Sequence, residues 1–291
     1  MLKQSAWATF TAKMEFRPVI VTFDPVMLSM ETHVFYKYQG AGNDFVILDN
    51  RNGLFDRTDT DLVRRLCDRR FGIGADGLML LQHAKGHDFE MVYFNADGFE
   101  GTMCGNGGRC IVAFAHDMGI IGQEADFLAV DGVHLARIHS RPGWISLQMK
   151  DVSRIDRDGD AYVLNTGSPH YVKLVEGLDQ FPVVAEGRKI RYSGTYGEKG
   201  INVNFVEPQE EGFYVRTYER GVEDETLACG TGATAVALAM GWRDGSDGAA
   251  DVPIRVKGGH LNIRFTKKGE RFSDVFLEGP ATFVFKGEIK W

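Results

Sequence analysis

The chain has 291 residues, 44 % hydrophobic and 25 % charged, which is the composition of a soluble globular protein long enough for two domains. A net charge of -7 argues against a nucleic-acid partner, because phosphate binding needs a basic face. The four cysteines, at 67, 104, 110 and 229, do not form paired C-x-x-C motifs, and no apolar run approaches the ~20 residues of a membrane span. A structural zinc site, a disulfide framework and a transmembrane helix are therefore not expected. The cysteines read as free thiols in a reducing, cytoplasmic compartment.

Residues 1–29 contain Lys3, Lys13 and Arg17 beside Glu15 and Asp24, without the apolar centre of a signal peptide. They read as an extension outside the fold, with Met30 as the functional start. From Val34 to Leu48 the chain is rich in strand formers. Asp59 to Arg70 follows as an amphipathic helix with Leu62, Val63, Leu66 and Cys67 on one face. Gly72-Ile73-Gly74-Ala75-Asp76-Gly77 matches G-x-G-x-x-G literally, but it comes after a helix rather than a strand, so it does not predict a dinucleotide site. A strand from Phe89 to Phe94 precedes Cys104, and a helix from Gly107 to Met118 follows it.

The second half repeats this order. Strand formers run from Tyr162 to Val175, a strand covers Gly212 to Tyr218, and a helix from Gly232 to Trp242 follows Cys229. Gly42 opens Gly-Asn-Asp-Phe-Val and Gly167 opens Gly-Ser-Pro-His-Tyr-Val. Cys104-Gly-Asn-Gly-Gly answers Cys229-Gly-Thr-Gly-Ala, and Val130-Asp-Gly-Val-His-Leu answers Val256-Lys-Gly-Gly-His-Leu. The three offsets agree within one residue, which points to an internal duplication. Both helices are apolar almost all round, so each belongs inside its own domain, wrapped by sheet.

Cys104 and Cys229 each stand just before a helix, in Cys-Gly-x-Gly. Unpaired N–H groups and the partial positive charge of a helix start favour thiolate, and the glycines let the backbone close around a carboxylate. One thiolate can remove a proton from one face of a carbon while the other thiol delivers a proton to the opposite face, inverting its configuration. N–H cradles would stabilise the charge that develops, so no cofactor and no metal are called for. Cys67 and Cys110, on apolar helix faces, read as packing. His170 and Glu219 stand near the thiols as acid–base neighbours, while Asn43, Asn95, Asn202 and Arg220 cluster within the paired motifs; Arg220 reads either as surface charge or as a fork for a second carboxylate.

These residues resemble one family. Gly42-Asn43-Asp44-Phe45, Phe94-Asn95-Ala96-Asp97-Gly98, Met103-Cys104-Gly105-Asn106-Gly107-Gly108-Arg109-Cys110 and Tyr218-Glu219-Arg220-Gly221, followed by Ala228-Cys229-Gly230-Thr231-Gly232, are similar to the motifs of diaminopimelate epimerases, in family order from Val34 to the C-terminus. The resemblance implies an α/β fold of two similar domains, each a mixed sheet around a central helix, with the active site in the cleft between them. The expected domains are 30–148, completed by a C-terminal strand at 280–291, and 149–279. It implies cofactor-independent interconversion of LL- and meso-2,6-diaminopimelate in lysine biosynthesis. Cys104 and Cys229 carry over as the acid–base pair, with His170 and Glu219 as helpers. Asn43, Asn95, Asn202, Glu219 and Arg220 carry over as substrate contacts, and Gly105, Asn106, Gly230 and Thr231 as the carboxylate cradles.

Two positions depart from the family pattern. Ser168 stands where many members have Asn, and Gly77 where some have Gln. The expected partner is a small molecule, not nucleic acid or membrane, and a homodimer fits the reading. The rivals are a racemase of proline or hydroxyproline, and a non-catalytic amino-acid-binding protein on the same duplicated scaffold.

Overall fold

The computed structural model describes residues 31–291; the N-terminal extension and its Met30 lie outside them. The first unit runs β1 (Thr32–Gly40), β2 (Asn43–Asp49), α1 (Thr60–Cys67), β3 (Gly77–Gln82), β4 (Phe89–Asn95), α2 (Gly105–Asp117), β5 (Glu124–Ala129), β6 (Gly132–Ile138) and β7 (Trp144–Gln148). The second runs β8 (Asp156–Asp158), β9 (Ala161–Asn165), β10 (Pro169–Leu174), α3 (Val183–Arg191), β11 (Asn202–Pro208), β12 (Phe213–Glu219), β13 (Asp224–Thr226), α4 (Gly230–Asp244), β14 (Gly248–Val256), β15 (Gly259–Lys268) and β16 (Arg271–Pro280). A last strand, β17 (Thr282–Lys290), closes the chain.

The strand pairing displays the duplication. In the first unit β17, β1 and β2 are antiparallel, β2 and β3 parallel, β3 and β4 antiparallel, β4 and β5 parallel, and β5, β6 and β7 antiparallel. In the second, β8, β9 and β10 are antiparallel, β10 and β11 parallel, β11 and β12 antiparallel, β12 and β14 parallel, and β14, β15 and β16 antiparallel. The two series match step for step, with β13 added on the edge of β12. They join through the antiparallel pair β7–β16, so the seventeen strands of the described residues form one continuous sheet. The last strand, β17, returns to pair with the first.

Each unit wraps its sheet around one central helix. Ile111, Val112, Phe114 and Ala115 of α2 are buried, as are Ala233 and Ala235 through Met240 of α4. A helix with no polar face is stable only when covered on every side, and the curled sheets supply that cover. The left-handed Gly245 ends α4, a conformation a side chain would strain.

The strand-rich stretches Val34–Leu48 and Tyr162–Val175 each resolve into a strand, a tight turn and a second strand. In the first, Ala41 and Gly42 both have positive φ, at 52° and 85°, as a two-residue hairpin turn demands. The expected helix from Asp59 to Arg70 is shorter. Asp59 caps it by accepting a hydrogen bond from the Leu62 N–H at 2.9 Å, and the chain turns away after Cys67. The G-x-G-x-x-G stretch leads from α1 into β3 and opens no helix.

Candidate active site

The two central helices meet start to start. A Cβ added to Gly105 would lie 2.7 Å from Leu277 Cδ2 and 3.7 Å from Gly230 Cα, and one added to Gly230 would lie 2.8 Å from the same methyl group. Only glycines allow this approach. Cys104 and Cys229 occupy the cap positions immediately before α2 and α4, both with extended backbone. The contact therefore brings the two thiols to one seam between the units, although they are far apart in sequence. Cys229 is buried and Cys104 partly so.

The thiols do not have the depressed pKa expected from their helix starts. Burial pushes both upward, and the Glu219 carboxylate adds to this at each sulfur. Backbone N–H groups do pull the other way, from Gly107 and Asn106 at Cys104 and from Gly232 at Cys229. Desolvation outweighs them, because a charge out of water loses more than a few partial charges return. Cys67 and Cys110 are buried within the core, and burial holds each up at about 12.

Around Cys104, the β1–β2 turn delivers Asn43. Its Oδ1 lies 3.7 Å from Cys104 Sγ and accepts a hydrogen bond from Asn106 Nδ2 at 3.2 Å, while its Nδ2 donates to Asp76 at 2.6 Å. Asp76 in turn belongs to an ion cluster with Arg69, Asp44 and Lys37. Burial alone would raise Asp44, but hydrogen bonds from Arg69 and Lys37 overcome it and hold the carboxyl well below the usual range. Asn106 also donates to the Ala228 carbonyl at 3.1 Å, which ties the first unit to the segment just ahead of Cys229.

Around Cys229, the β9–β10 turn delivers Ser168, the counterpart of Asn43. Thr231 Oγ1 lies 3.5 Å from Cys229 Sγ and 3.3 Å from Ser168 Oγ. Ser168 Oγ lies 3.0 Å from His170 Nε2 and accepts from Asn202 Nδ2 at 3.0 Å. His170 is fully buried, and its pKa is lowered to about 3 by burial and by the nearby Arg220 charge. It is a neutral imidazole. Glu219, at the end of β12, is raised by burial, partly offset by Thr226 and reinforced by Asp76. Arg220 donates its backbone N–H to Asn202 Oδ1 at 2.9 Å and its guanidinium to the Lys199 carbonyl at 3.1 Å. No ion pair of Arg220 occurs among the described residues. Asn95 is exposed at the end of β4, opposite Gly77, and shares no side-chain hydrogen bond with the thiol networks.

Several contributors escaped the sequence reading. Arg109 is fully buried and has no acid partner; it donates to the Gly105 carbonyl at 3.1 Å, to Asn106 Oδ1 at 2.9 Å and to the Pro280 carbonyl at 3.4 Å. Burial lowers its pKa to about 10, still a cation at neutral pH. A lone Arg in an otherwise apolar helix was its signal. Asn204, also fully buried, braces His170. Gly77 is explained by Tyr93, whose ring Cε2 would stand 2.5 Å from a Cβ there. A cavity of about 70 Å³ opens beside Met103, Thr166, Gly167 and Thr231.

A duplicated α/β scaffold with a central helix in each half, one thiol at each helix start, defines the class. Its fold is similar to that of a phenazine biosynthesis protein of the PhzF family from Bacillus anthracis, with a TM-score of 0.71 at 14% identity, covering 90% of this chain and 100% of that one. A hydroxyproline epimerase from Agrobacterium vitis is similar too, with a TM-score of 0.66 at 13% identity over 89% and 92% of the two chains. Sequence narrows the class to one family. The diaminopimelate epimerase family model matches residues 35–155 and 162–284. The chain is 52% identical to the diaminopimelate epimerase of Flavobacterium psychrophilum, over 87% of this chain and 99% of the relative. It is 46% identical to that of Chlorobaculum tepidum, over 86% and 98%. The chain belongs to the diaminopimelate epimerase family.

Proposed function

We propose that this isomerase interconverts LL- and meso-2,6-diaminopimelate, the reaction of its family on the route to lysine, with Cys104 and Cys229 as the acid–base pair. The observation that carries the reading is the glycine-to-glycine contact of the two helix starts, which sets one thiol on each side of a single seam. A substrate carboxylate at that seam meets the N–H groups of both helix starts. They stabilise the charge that spreads onto it as the α-proton leaves, where an electron-sink cofactor would otherwise be needed. One sulfur takes the proton from one face, the other returns a proton to the opposite face, and the reverse reaction exchanges their roles. Glu219 lies within electrostatic reach of both sulfurs and sets their proton balance.

Asn43, Asn106 and Thr231 line the reacting centre, and Asn202 and Arg220 meet the distal carboxylate. Arg220, bound only to a carbonyl, has donors left for it. A proline-type substrate has no second carboxylate to take up that guanidinium. The reaction takes place in the reducing cytoplasm, where both thiols persist; among the described residues no helix is long and apolar enough to cross a membrane. Proton NMR of LL-diaminopimelate in deuterated water tests the reading. Deuterium enters at an α-carbon as the meso isomer forms, whereas absence of both changes with folded protein would sink it.

A further inference from the structure

Gly77 departs from the family pattern, and Tyr93 fills the space it leaves. Alternate residues of a strand share a face. On β4, Phe89, Met91 and Tyr93 point toward α2, while Val92 and Phe94 point toward α1. Phe89 and Met91 pack beneath α2 in the core. Tyr93 comes next along the strand and reaches the helix start, where Cys104 stands. Its ring lies between two glycines. A Cβ on Gly77 would stand 2.5 Å from Tyr93 Cε2 and 3.0 Å from its hydroxyl, and a Cβ on Gly101 would stand 2.8 Å from both Cδ1 and Cε1. Phe45 meets the ring edge-on, with 6.0 Å between centroids. A side chain at 77 and the tyrosine ring therefore exclude one another, and the group that projects from this place is a phenol.

The hydroxyl is set among groups of the reacting centre. Gly77 follows Asp76, the hydrogen-bond partner of Asn43, and pairs with Phe45 across β2 and β3. Burial pushes the phenol pKa upward, and the neighbouring Cys104, Glu219, Asp76 and Cys67 push it further. It is a neutral O–H that can both donate and accept. Buried tyrosine hydroxyls ordinarily find a partner. Among the described residues none hydrogen-bonds this one. Packing does not account for the oxygen, since phenylalanine would fill the same space without a polar atom.

The carbon that reacts carries a carboxylate, an ammonium group and a side chain. The N–H groups of the helix starts suit the carboxylate. The ammonium group needs oxygens, and the Cys104 side supplies them: Asn43 Oδ1, 3.7 Å from the sulfur, the Glu219 carboxyl and the Tyr93 hydroxyl. We propose that Tyr93 is a substrate-binding residue, its hydroxyl standing where a side chain at 77 would stand and accepting a hydrogen bond from the ammonium group on the reacting carbon. The ammonium group keeps its charge throughout the reaction. The contact is then as strong before the proton leaves as after, so it contributes to affinity rather than to the rate of the chemical step.

The proposal rests on the epimerase reading, so binding and turnover are measured apart and the two can fail apart. Tyr93→Phe keeps the ring between its glycines and removes only the oxygen. In the full-length protein it should raise the Kd of LL-diaminopimelate in calorimetry, and the KM for its epimerisation, by about 10-fold, the scale of a hydrogen bond to a charged group, with kcat little changed. Gly77→Gln should be poorly tolerated in the native protein, because its side chain meets the ring. In a Tyr93→Ala protein the space is open, and the glutamine amide oxygen should recover part of the affinity that Tyr93→Ala loses. An unchanged Kd and KM in Tyr93→Phe overturns the proposal, as does a loss confined to kcat. Gly77→Gln that recovers nothing in the Tyr93→Ala protein overturns the exchange of one side chain for the other. Should the Tyr93→Ala proteins fail to fold, Tyr93→Phe decides alone. Native protein that binds diaminopimelate without epimerising it sinks the epimerase reading, and the Tyr93→Phe contrast in Kd then still decides whether the hydroxyl holds the ligand.

Discussion

Beside Cys104 stands an amide oxygen, and beside Cys229 a hydroxyl at the end of a polar chain. The backbones of the two regions follow the same path, so corresponding positions can be compared directly. Asn43 and Ser168 occupy the same turn, and Asn106 and Thr231 the same place after the first glycine of the helix. Phe45 pairs with Gly77 in the first unit where His170 pairs with Asn202 in the second. Arg109 reaches the Gly105 carbonyl where Thr234 reaches the Gly230 carbonyl at 2.9 Å. Backbone geometry was thus kept in both halves, because the helix starts and the glycine contact depend on it. Side chains diverged around the two sulfurs.

The largest expected effect treats the halves as equals. Cys104→Ala and Cys229→Ala should each lower epimerisation by at least about 10³-fold, the scale of a lost acid–base group. Circular dichroism should be unchanged, since Cys-to-Ala removes a single side-chain heavy atom and leaves both helix starts in place. Near-normal turnover by either variant would end the symmetry of roles.

Arg109→Met separates the halves, because the second unit has no counterpart charge. Three acceptors lose their donor, and urea denaturation should show a stability loss of about 3 kcal/mol. Epimerisation should fall as well, since Asn106 loses the bond that fixes its amide. A fully stable, fully active variant would mean that this cation is dispensable.

Arg220→Ala belongs to the second half alone. Binding of diaminopimelate should weaken by about 2 kcal/mol, with a monocarboxylate analogue barely affected. Equal losses in calorimetry would remove Arg220 from distal recognition.

The smallest effect is a pH slope that the first unit, with Phe45 in place of His170, cannot produce. Folded His170 is held neutral down to about 3, whereas the unfolded residue protonates near 6.5. Below pH 6.5 the unfolded state takes up a proton that the folded state refuses, so stability falls with falling pH, by up to about 1.4 kcal/mol per pH unit. The Asp44 carboxyl is also held below its ordinary value and adds its loss only below about pH 4. Between pH 6.5 and 5 the urea midpoint should therefore drop in the native protein and drop less in His170→Gln. Identical slopes would show that His170 is not the source.

The duplication and both thiols were legible in the sequence because Cys-Gly-x-Gly recurs at one offset and the helices behind it carry no polar face. Asn43 was singled out from the paired motifs, whereas Asn106 and Thr231 came only with the family resemblance; all three lie beside the thiols. The ionisation state of the thiols was not legible in the sequence. A helix start is a local feature, whereas the burial that raises both thiols is set by tertiary packing. Arg109 was passed over because its partners are two oxygens of its own helix start and the distant Pro280 carbonyl rather than an acid, and Asn204 because its partners lie on β10 and β12, which no spacing rule marks. The roles of Ser168 and Gly77 became clear only once Thr231 and Tyr93 stood beside them.

The pairing of β17 with β1 also sets an order of events at birth. The first unit contains the earliest residues of the fold to leave the ribosome, yet its sheet lacks an edge strand until Thr282–Lys290 has been made. Until then β1 exposes an unpaired edge, a template for association with other chains. The second unit has all of its own strands by Pro280 and needs only β7, already synthesised, to dock. The half made first is the half finished last, and a chain stopped just before Thr282 would leave the ribosome with its second unit complete and its first unit open along β1.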